Sequence, residues 1–260
     1  MFNQLPDIVV VAIFVVASVG LAQLGLLIFR RVIREEIISS HTSIASSTFG
    51  LIGLLYAVIT GSLVASGWAD FRDAQTSTFN ESNALGDMLR AANAFEEPTR
   101  SLLQRKLLVY ARGVVDVEWP KLRRGEPVEL ASPTYEDLWT TYIGVTPANS
   151  RETMFYSTSI SRLVALGDER RNRLLEAEST FSPELWVLFI GGGMIAVFFT
   201  YFFAPKRSRY HLLLLSLLAS LFGFVLYLLY QIQTPYTGGF SVSVEPFIKL
   251  ISLWQPRVLP

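Results

Sequence analysis

No cysteine occurs in the 260 residues, which excludes disulfides, thiol catalysis, iron–sulfur clusters and thiolate zinc sites. Histidine is nearly missing as well. His41 and His211 stand far apart, too sparse for an imidazole-rich metal centre. Each flanks an apolar run and reads as an interfacial polar residue, since a catalytic imidazole needs an orienting partner. Charge is scarce: Asp, Glu, Lys and Arg make up 17% of the chain, against about 25% in a usual soluble protein. The 22 basic and 22 acidic residues cancel, so the cationic face that nucleic acid requires is not indicated, and nucleic acid is not an expected partner. Phosphate-loop and dinucleotide fingerprints are absent; Gly191-Gly192-Gly193 lies inside an apolar run and lacks a following Lys-Ser/Thr. The acidic pairs Glu35-Glu36, Glu96-Glu97 and Glu136-Asp137 diverge by about 100° on a helix, so none forms a shared two-carboxylate site. No nucleophile with its base, no metal site and no cofactor site is indicated, and the chain reads as something other than an enzyme.

Apolar sequence is what the chain has in abundance. Hydrophobic residues reach 51% and the mean hydropathy is +0.38. They cluster in four uncharged runs, Ile8–Phe29, Phe49–Trp68, Leu185–Ala204 and Leu212–Ile232. About 20 such residues cross a hydrocarbon layer of roughly 30 Å. In lipid a spanning segment must satisfy its own backbone hydrogen bonds, so each run is expected to be a helix. The short alternating segments of a barrel do not occur. The first run is read as a retained helix rather than a cleaved leader: MFNQLPD carries no Lys or Arg, and the run exceeds a leader's apolar core.

The expected fold is therefore an all-α membrane protein. Residues 1–68 hold two transmembrane helices (about 8–29 and 49–68), and 69–182 form a helical extramembrane domain inserted between the second and third. Residues 183–232 hold two more spans (about 185–204 and 212–232), and 233–260 form a C-terminal tail. The inserted block carries 14 basic and 17 acidic residues. No proline interrupts the chain from Phe49 to Glu97, so one helix is expected to run out of the second span into the block. Pro98 suits the first turn of the next helix, which places Leu103, Leu107, Tyr110, Val114 and Val117 on one face. Pro120 is expected to stop it, and 120–133 to be a turn-rich loop. Ser132-Pro133 opens a short helix through Tyr142, and Asn149 with Glu152 is a capping-box start for a helix over roughly 150–180. In the tail, 240–244 alternate as a strand does, and Phe247–Trp254 is apolar enough to lie on a membrane surface.

The spans suggest function. Gly50, Gly53, Ala57 and Gly61 form a small-residue stripe on the second span, suited to helix packing within one chain or between subunits. Thr60, Ser62 and Ser66 are candidate pore-lining residues, because hydroxyls facing a shared axis suit an ion pathway. From Ser62 and Ser66 the polar stripe continues through Asp73, Thr76, Asn80 and Asp87. The competing reading is that such hydroxyls bond their own helix carbonyls. Span four carries a second small or polar face, Ser216, Ser220, Gly223 and Tyr227, read as helix packing. No Asp, Glu, Lys or Arg lies inside a span, against a proton-coupled transporter or voltage sensor.

Sidedness is contested. The short loops hold Arg30, Arg31 and Arg34, and Lys206, Arg207 and Arg209, which places them in the cytoplasm and the inserted domain in the periplasm. Arg170, Arg171 and Arg173, just ahead of the third span, pull the other way.

Two spans, a helical block and two more spans, with ESNALGDMLRAA (81–92), YARGVVDVEWPKLRRGE (110–126), RRNRLLEAE (170–178), Pro183 with Trp186, TYFF (200–203) and TPYTGGFSVSVEPF (234–247), resemble the bacterial bestrophin-like membrane family over nearly the whole chain. The resemblance implies an oligomeric ion channel with a pore lined by the second span, and a vestibule formed by 69–182, which bestrophin topology places in the cytoplasm. It makes Glu81, Asn83, Arg90, Glu118 and Trp119 family-motif residues, with Glu81, Asn83 and Arg90 in inter-helix polar contacts and Trp119 a docking anchor. Two departures stand out. A bestrophin neck is a ring of bulky apolar residues, whereas this segment is small and hydroxylated. The acidic calcium clasp has no counterpart, because Glu245 is the one acid in 234–247.

The resulting expectation is a multi-pass protein of the bacterial cytoplasmic membrane, embedded in the lipid bilayer as a homo-oligomer and passing small ions. The rival expectation is a membrane-anchored scaffold or sensor whose central domain binds a protein or small ligand.

Overall fold

The computed structural model describes residues 6–32, 42–203 and 209–258, with the backbone alone over 42–47 and at 257. Arg34, Glu35-Glu36, His41, Lys206 and Arg207 lie outside the described residues. Every regular element among the described residues is helical: α1 Asp7–Val32, α2 Thr42–Ala91, α3 Thr99–Gly113, α4 Trp119–Arg124, α5 Pro133–Ile143, α6 Ser150–Glu178, α7 Pro183–Thr200, α8 Arg209–Ile232 and α9 Glu245–Val258. Four of these, α1, α2, α7 and α8, are long and apolar enough to cross a membrane.

The chain divides into two compact units. One comprises residues 1–69 and 180–233, the other 70–179 and 234–260. The tail thus belongs with the inserted block rather than standing alone.

In the first unit α1 packs along α8. Gly223 permits the approach: a Cβ there would lie 2.8 Å from Val15 Cα and 2.9 Å from the Phe14 carbonyl oxygen. Gln23 Nε2 donates to Ser216 Oγ at 2.9 Å, and Tyr201 Oη donates to the Ala22 carbonyl at 2.8 Å. Around them Ala22, Leu26, Phe29, Leu215 and Ala219 form a buried cluster. The hydroxyls of Ser216 and Ser220 also bond their own helix carbonyls four residues back, which keeps them satisfied in an apolar setting. The Ser216–Gly223 face of α8 is thus a helix-packing face.

In the second unit the C-terminal part of α2 meets α3, α6 and α9, and α5 packs on α3. Leu85, Met88, Leu89, Leu103, Leu107 and Leu163 are fully buried there. Helix α6 starts with the N-cap half of a capping box: Asn149 Oδ1 accepts from the Glu152 N–H at 2.9 Å, while Glu152 Oε2 reaches one residue further back and accepts from the Ala148 N–H at 2.8 Å. Pro133 occupies the first turn of α5, after Ser132 in extended conformation.

Four expectations give way. Pro120 does not stop the helix before it. The chain passes from α3 through a π-helical turn, Val114–Glu118, straight into α4, where Pro120 sits in the first turn and needs no N–H partner. The end comes at Gly125, whose positive φ of 70° closes α4 in the left-handed conformation open to glycine. The π turn also changes which side chain faces inward: Val117 is exposed and Glu118 is buried. In the tail, 240–244 is not a strand, and α9 turns Phe247, Leu250 and Trp254 inward against the second unit instead of offering them to a membrane surface.

Candidate functional site

Helix α2 carries the candidate pathway residues, and its pitch separates them. Ser62 and Ser66 are one turn apart, share a face and are exposed. Thr60 stands about 200° round the helix from Ser62, since each residue advances about 100°. Thr60 instead lines a cavity of about 480 Å³ within the first unit, with Tyr56, Ala57, Phe189 and Phe222. The structure brings Ser62 and Ser66 together and leaves Thr60 apart. None of the most apolar 18-residue stretch of α2 is buried within the chain. Further along, Asp73 and Thr76 are exposed and Asn80 and Asp87 half-buried.

Among the described residues, the glycines of the small-residue stripe have open space beside them. A Cβ at Gly50, Gly53 or Gly61 would find nothing within 4 Å, and Gly53, Ala57 and Gly61 face the same cavity. Close packing falls on other glycines. Gly192 faces the Tyr56 ring and Gly193 the Phe222 ring. Tyr56 stacks on Phe189 at 5.8 Å and donates from Oη to the Phe189 carbonyl at 3.2 Å. The glycine run in the third span is therefore a seat for aromatic rings.

The family-motif residues fall into two groups. Glu81, Glu118 and Trp119 converge on a buried ionic knot. Arg173 of α6 is fully buried; its Nε donates to Glu81 Oε2 at 2.6 Å and its Nη2 to Glu118 Oε2 at 2.7 Å. Arg170, one turn earlier, donates from Nη2 to Glu118 Oε1 at 2.8 Å and to the Glu129 carbonyl at 2.9 Å. Tyr110 Oη donates to Glu81 Oε1 at 2.7 Å. The Trp119 ring lies 5.9 Å from the Arg173 guanidinium carbon and meets Tyr236 edge-on at 5.5 Å.

The knot holds two carboxylates and two guanidiniums, so it is neutral overall, and this is how four charges remain in a dry interior. Burial pushes the Glu118 carboxyl up, but Arg173 and Arg170 beside it win and hold it below the ordinary carboxylate range. Burial opposes the charge on Arg173, and Glu81 and Glu118 more than offset that, raising it further. Burial and then the negative charge of Glu81 drive the Tyr110 phenol well above its usual value, so it stays a neutral donor.

Asn83 and Arg90 do not join this knot. Both are exposed, and Arg90 pairs with Asp87 on its own helix at 2.9 Å rather than across helices. Asp87 supplies the inter-helix contact instead, to Arg162 Nε of α6 at 3.3 Å. The partners Arg170, Arg173 and Tyr110 were not evident as site residues from the sequence. The signals present were their place in the motifs 110–126 and 170–178 and the i, i+3 spacing of Arg170 and Arg173, which puts both on one face of α6.

A family model described as "Bestrophin-like domain" matches residues 16–247. Two crystal structures of single-site mutants of a bacterial bestrophin homolog from Klebsiella pneumoniae have a similar fold. One is 12% identical with a TM-score of 0.65 and covers 96% of this chain and 99% of that one. The other is 11% identical with a TM-score of 0.63 and covers 94% and 98%. At such identities the likeness is one of fold. No curated protein matches significantly.

Proposed function

This multi-pass membrane chain belongs to the bestrophin-like family, and from that premise we propose that it is an oligomeric passive ion channel of the bacterial cytoplasmic membrane, its pore running along α2. The observation that carries the reading is the Ser62–Ser66 face: two exposed hydroxyls on a helix whose most apolar stretch has no fully buried residue among the described residues. A helix covered only in part by its own fold is suited to lipid or further copies of itself on its open sides. The side that carries hydroxyls is suited to water and ions. The absence of charge inside the spans supports a passive route rather than a driven one. In this reading Thr60 belongs to the cavity wall, the glycine stripe serves contacts between subunits, and 69–182 with the tail form the extramembrane part. Glu245 pairs loosely with Lys249 at 3.5 Å on an exposed face, and we assign no calcium dependence to it.

The chain has no cysteine, so a single introduced thiol reports one position cleanly. Ser62→Cys and Ser66→Cys in liposomes are expected to react with a membrane-impermeant charged thiol reagent, and Gly191→Cys on α7 is not. Reaction at neither serine position would overturn the pore assignment. A cysteine at Glu126, in the exposed turn after α4, assigns the side of the extramembrane part in the same assay.

A further inference from the structure

Two side chains at one end of the first unit lack a hydrogen-bond partner. Arg30 is near the end of α1 and His211 in the first turn of α8; both are half-buried, and Arg30 Nη2 and His211 Nε2 are covered with no partner. Helices α1 and α8 run antiparallel, with Asp7 beside Gln231, Val15 against Gly223 and Gln23 beside Ser216. That register brings Arg30 level with the start of α8, within about one turn of His211. The Arg30 charge bears on the imidazole. Helix α7 ends here too, with Phe198, Tyr201 and Phe202 around Phe29, and α2 joins through Phe49 against Phe203. Residues 26–32, 48–53, 197–203 and 209–215 make up this end; they include Arg30, Arg31, Arg209 and His211 and no Asp or Glu. Arg31 and Arg209 are exposed, so water serves them.

The cavity of about 480 Å³ begins further along the same face of α8. His211, Leu218, Phe222 and Val225 succeed one another at spacings that keep them on one side of the helix, and the last three line the cavity. Its side chains are apolar apart from the hydroxyls of Tyr56, bonded to the Phe189 carbonyl, and of Thr60. Ala57, Gly61 and Leu221 line it and are exposed, so it is open along one side. An apolar void stays dry and accepts an apolar guest, and this one falls in the usual ligand-pocket range of about 300–1,000 Å³. Leu218 and Phe222 lie about 10 and 16 Å from His211 along the helix, toward the middle of the spans. The hydrocarbon of one leaflet is about 15 Å deep, half of a ~30 Å layer. A head group held at His211 therefore lets its chain reach the cavity.

We propose that the first unit binds an anionic phospholipid, its phosphate between Arg30 and His211 and an acyl chain in the cavity. The planar guanidinium offers a phosphate two parallel N–H donors, and the imidazole adds a third from the neighbouring helix. The phosphate supplies the acceptors that both nitrogens lack. Both side chains keep an exposed part, by which a head group reaches them from the membrane surface. A zwitterionic head group brings a cation of its own, which this basic end repels; an anionic one does not. The chain fills a space that water does not enter. The site is separate from the Ser62–Ser66 face and stands whether or not the chain conducts.

The test is native mass spectrometry of the full chain, delipidated in detergent and titrated separately with phosphatidylglycerol, phosphatidylcholine and inorganic phosphate. Wild type is expected to take up phosphatidylglycerol one to one, and to bind the other two at least about tenfold more weakly, since one lacks the net negative charge and the other the chain. Arg30→Gln combined with His211→Gln is expected to lower phosphatidylglycerol binding to the phosphatidylcholine level. Ala196→Phe, which fills the cavity from α7, is expected to weaken both lipids and leave inorganic phosphate unchanged. Equal binding of the two lipids by wild type overturns the proposal, and this comparison requires no variant to fold. Phosphatidylglycerol uptake retained in full by the double variant overturns it as well. If inorganic phosphate binds as tightly as phosphatidylglycerol and Ala196→Phe changes neither, the basic pair holds a free anion and the lipid assignment falls. If Ala196→Phe alters subunit number on size-exclusion chromatography and leaves lipid uptake unchanged, a second copy fills the cavity and the assignment falls too.

Discussion

Arg173 and Glu81, 92 residues apart in sequence, form a bidentate pair in which neither side chain has any exposed surface, with Arg173 Nε 2.6 Å from Glu81 Oε2. This pair joins α6 to α2, and Glu118 extends it to the π turn after α3.

Charge balance decides what the knot tolerates. Arg173→Leu leaves Glu81 and Glu118 with Arg170 alone, and breaking a buried pair on one side costs about 3–5 kcal/mol. Arg173→Leu combined with Glu81→Leu leaves the Arg170–Glu118 pair intact and neutral, so it is expected to unfold later than the single variant. Thermal unfolding in detergent checks this. A double variant no more stable than Arg173→Leu would mean that charge balance is not what governs the knot.

The glycines differ in what surrounds them. Gly223→Ala sets a Cβ against α1 backbone, which has no side chain to move aside, and overpacking of this kind costs about 1–3 kcal/mol. Gly191→Ala meets open space and is expected to be neutral or slightly stabilising, since it removes a flexible residue from a helix interior. Melting temperatures of the two variants should therefore move in different directions or by clearly different amounts.

The π turn predicts another asymmetry. Val114 is buried and Val117 is 56% exposed, although both fall on the apolar stripe of a regular α-helix. Val114→Ser is expected to destabilise by about 1–3 kcal/mol, as burial of an unpaired hydroxyl does, and Val117→Ser to have little effect. Equal effects would indicate an unbroken α-helix through this segment.

The pH dependence of stability has a definite sign. The Glu176 carboxyl is raised from 4.5 to about 7 on folding, so the folded chain holds more protons than the unfolded one between those values. Its contribution is complete below about 4.5 and is lost as pH rises through 7. Glu176→Gln should therefore gain stability relative to wild type on going from pH 5 to pH 8, as read by melting temperature. A constant difference across that range would contradict the shift.

Local chemistry made much of this fold legible. The four uncharged runs correspond to α1, the first part of α2, α7 and α8, because burial in lipid leaves a long apolar signature. The Asn149–Glu152 pair marks the start of α6, because caps act within one turn, and Ser132-Pro133 marks that of α5 through the proline in its first turn, with no cap bond from the Ser132 side chain. Pro120 misled because a proline ends the helix before it only when it falls in that helix's interior; here the π turn makes it part of a new first turn. The tail misled because an apolar face looks alike whether it meets lipid or protein. The knot was half legible: motif resemblance singled out Glu81, Glu118 and Trp119, but their partners lie far off in the chain, and no local rule pairs Glu81 with Arg173. The hydroxyls on α2 were legible as residues, and helix pitch then separates Thr60 from Ser62 and Ser66.

The central claim is tested most directly by ion flux through the purified chain in liposomes, comparing wild type with Ser62→Trp and Ser66→Trp. Wild-type flux above that of empty liposomes, abolished by either bulky residue with assembly intact on size-exclusion chromatography, is the predicted result. No flux above empty liposomes across several salts, with and without calcium, would contradict it. That outcome would favour a membrane-anchored scaffold or sensor, with the unit around the Glu81–Arg173 knot as its binding part.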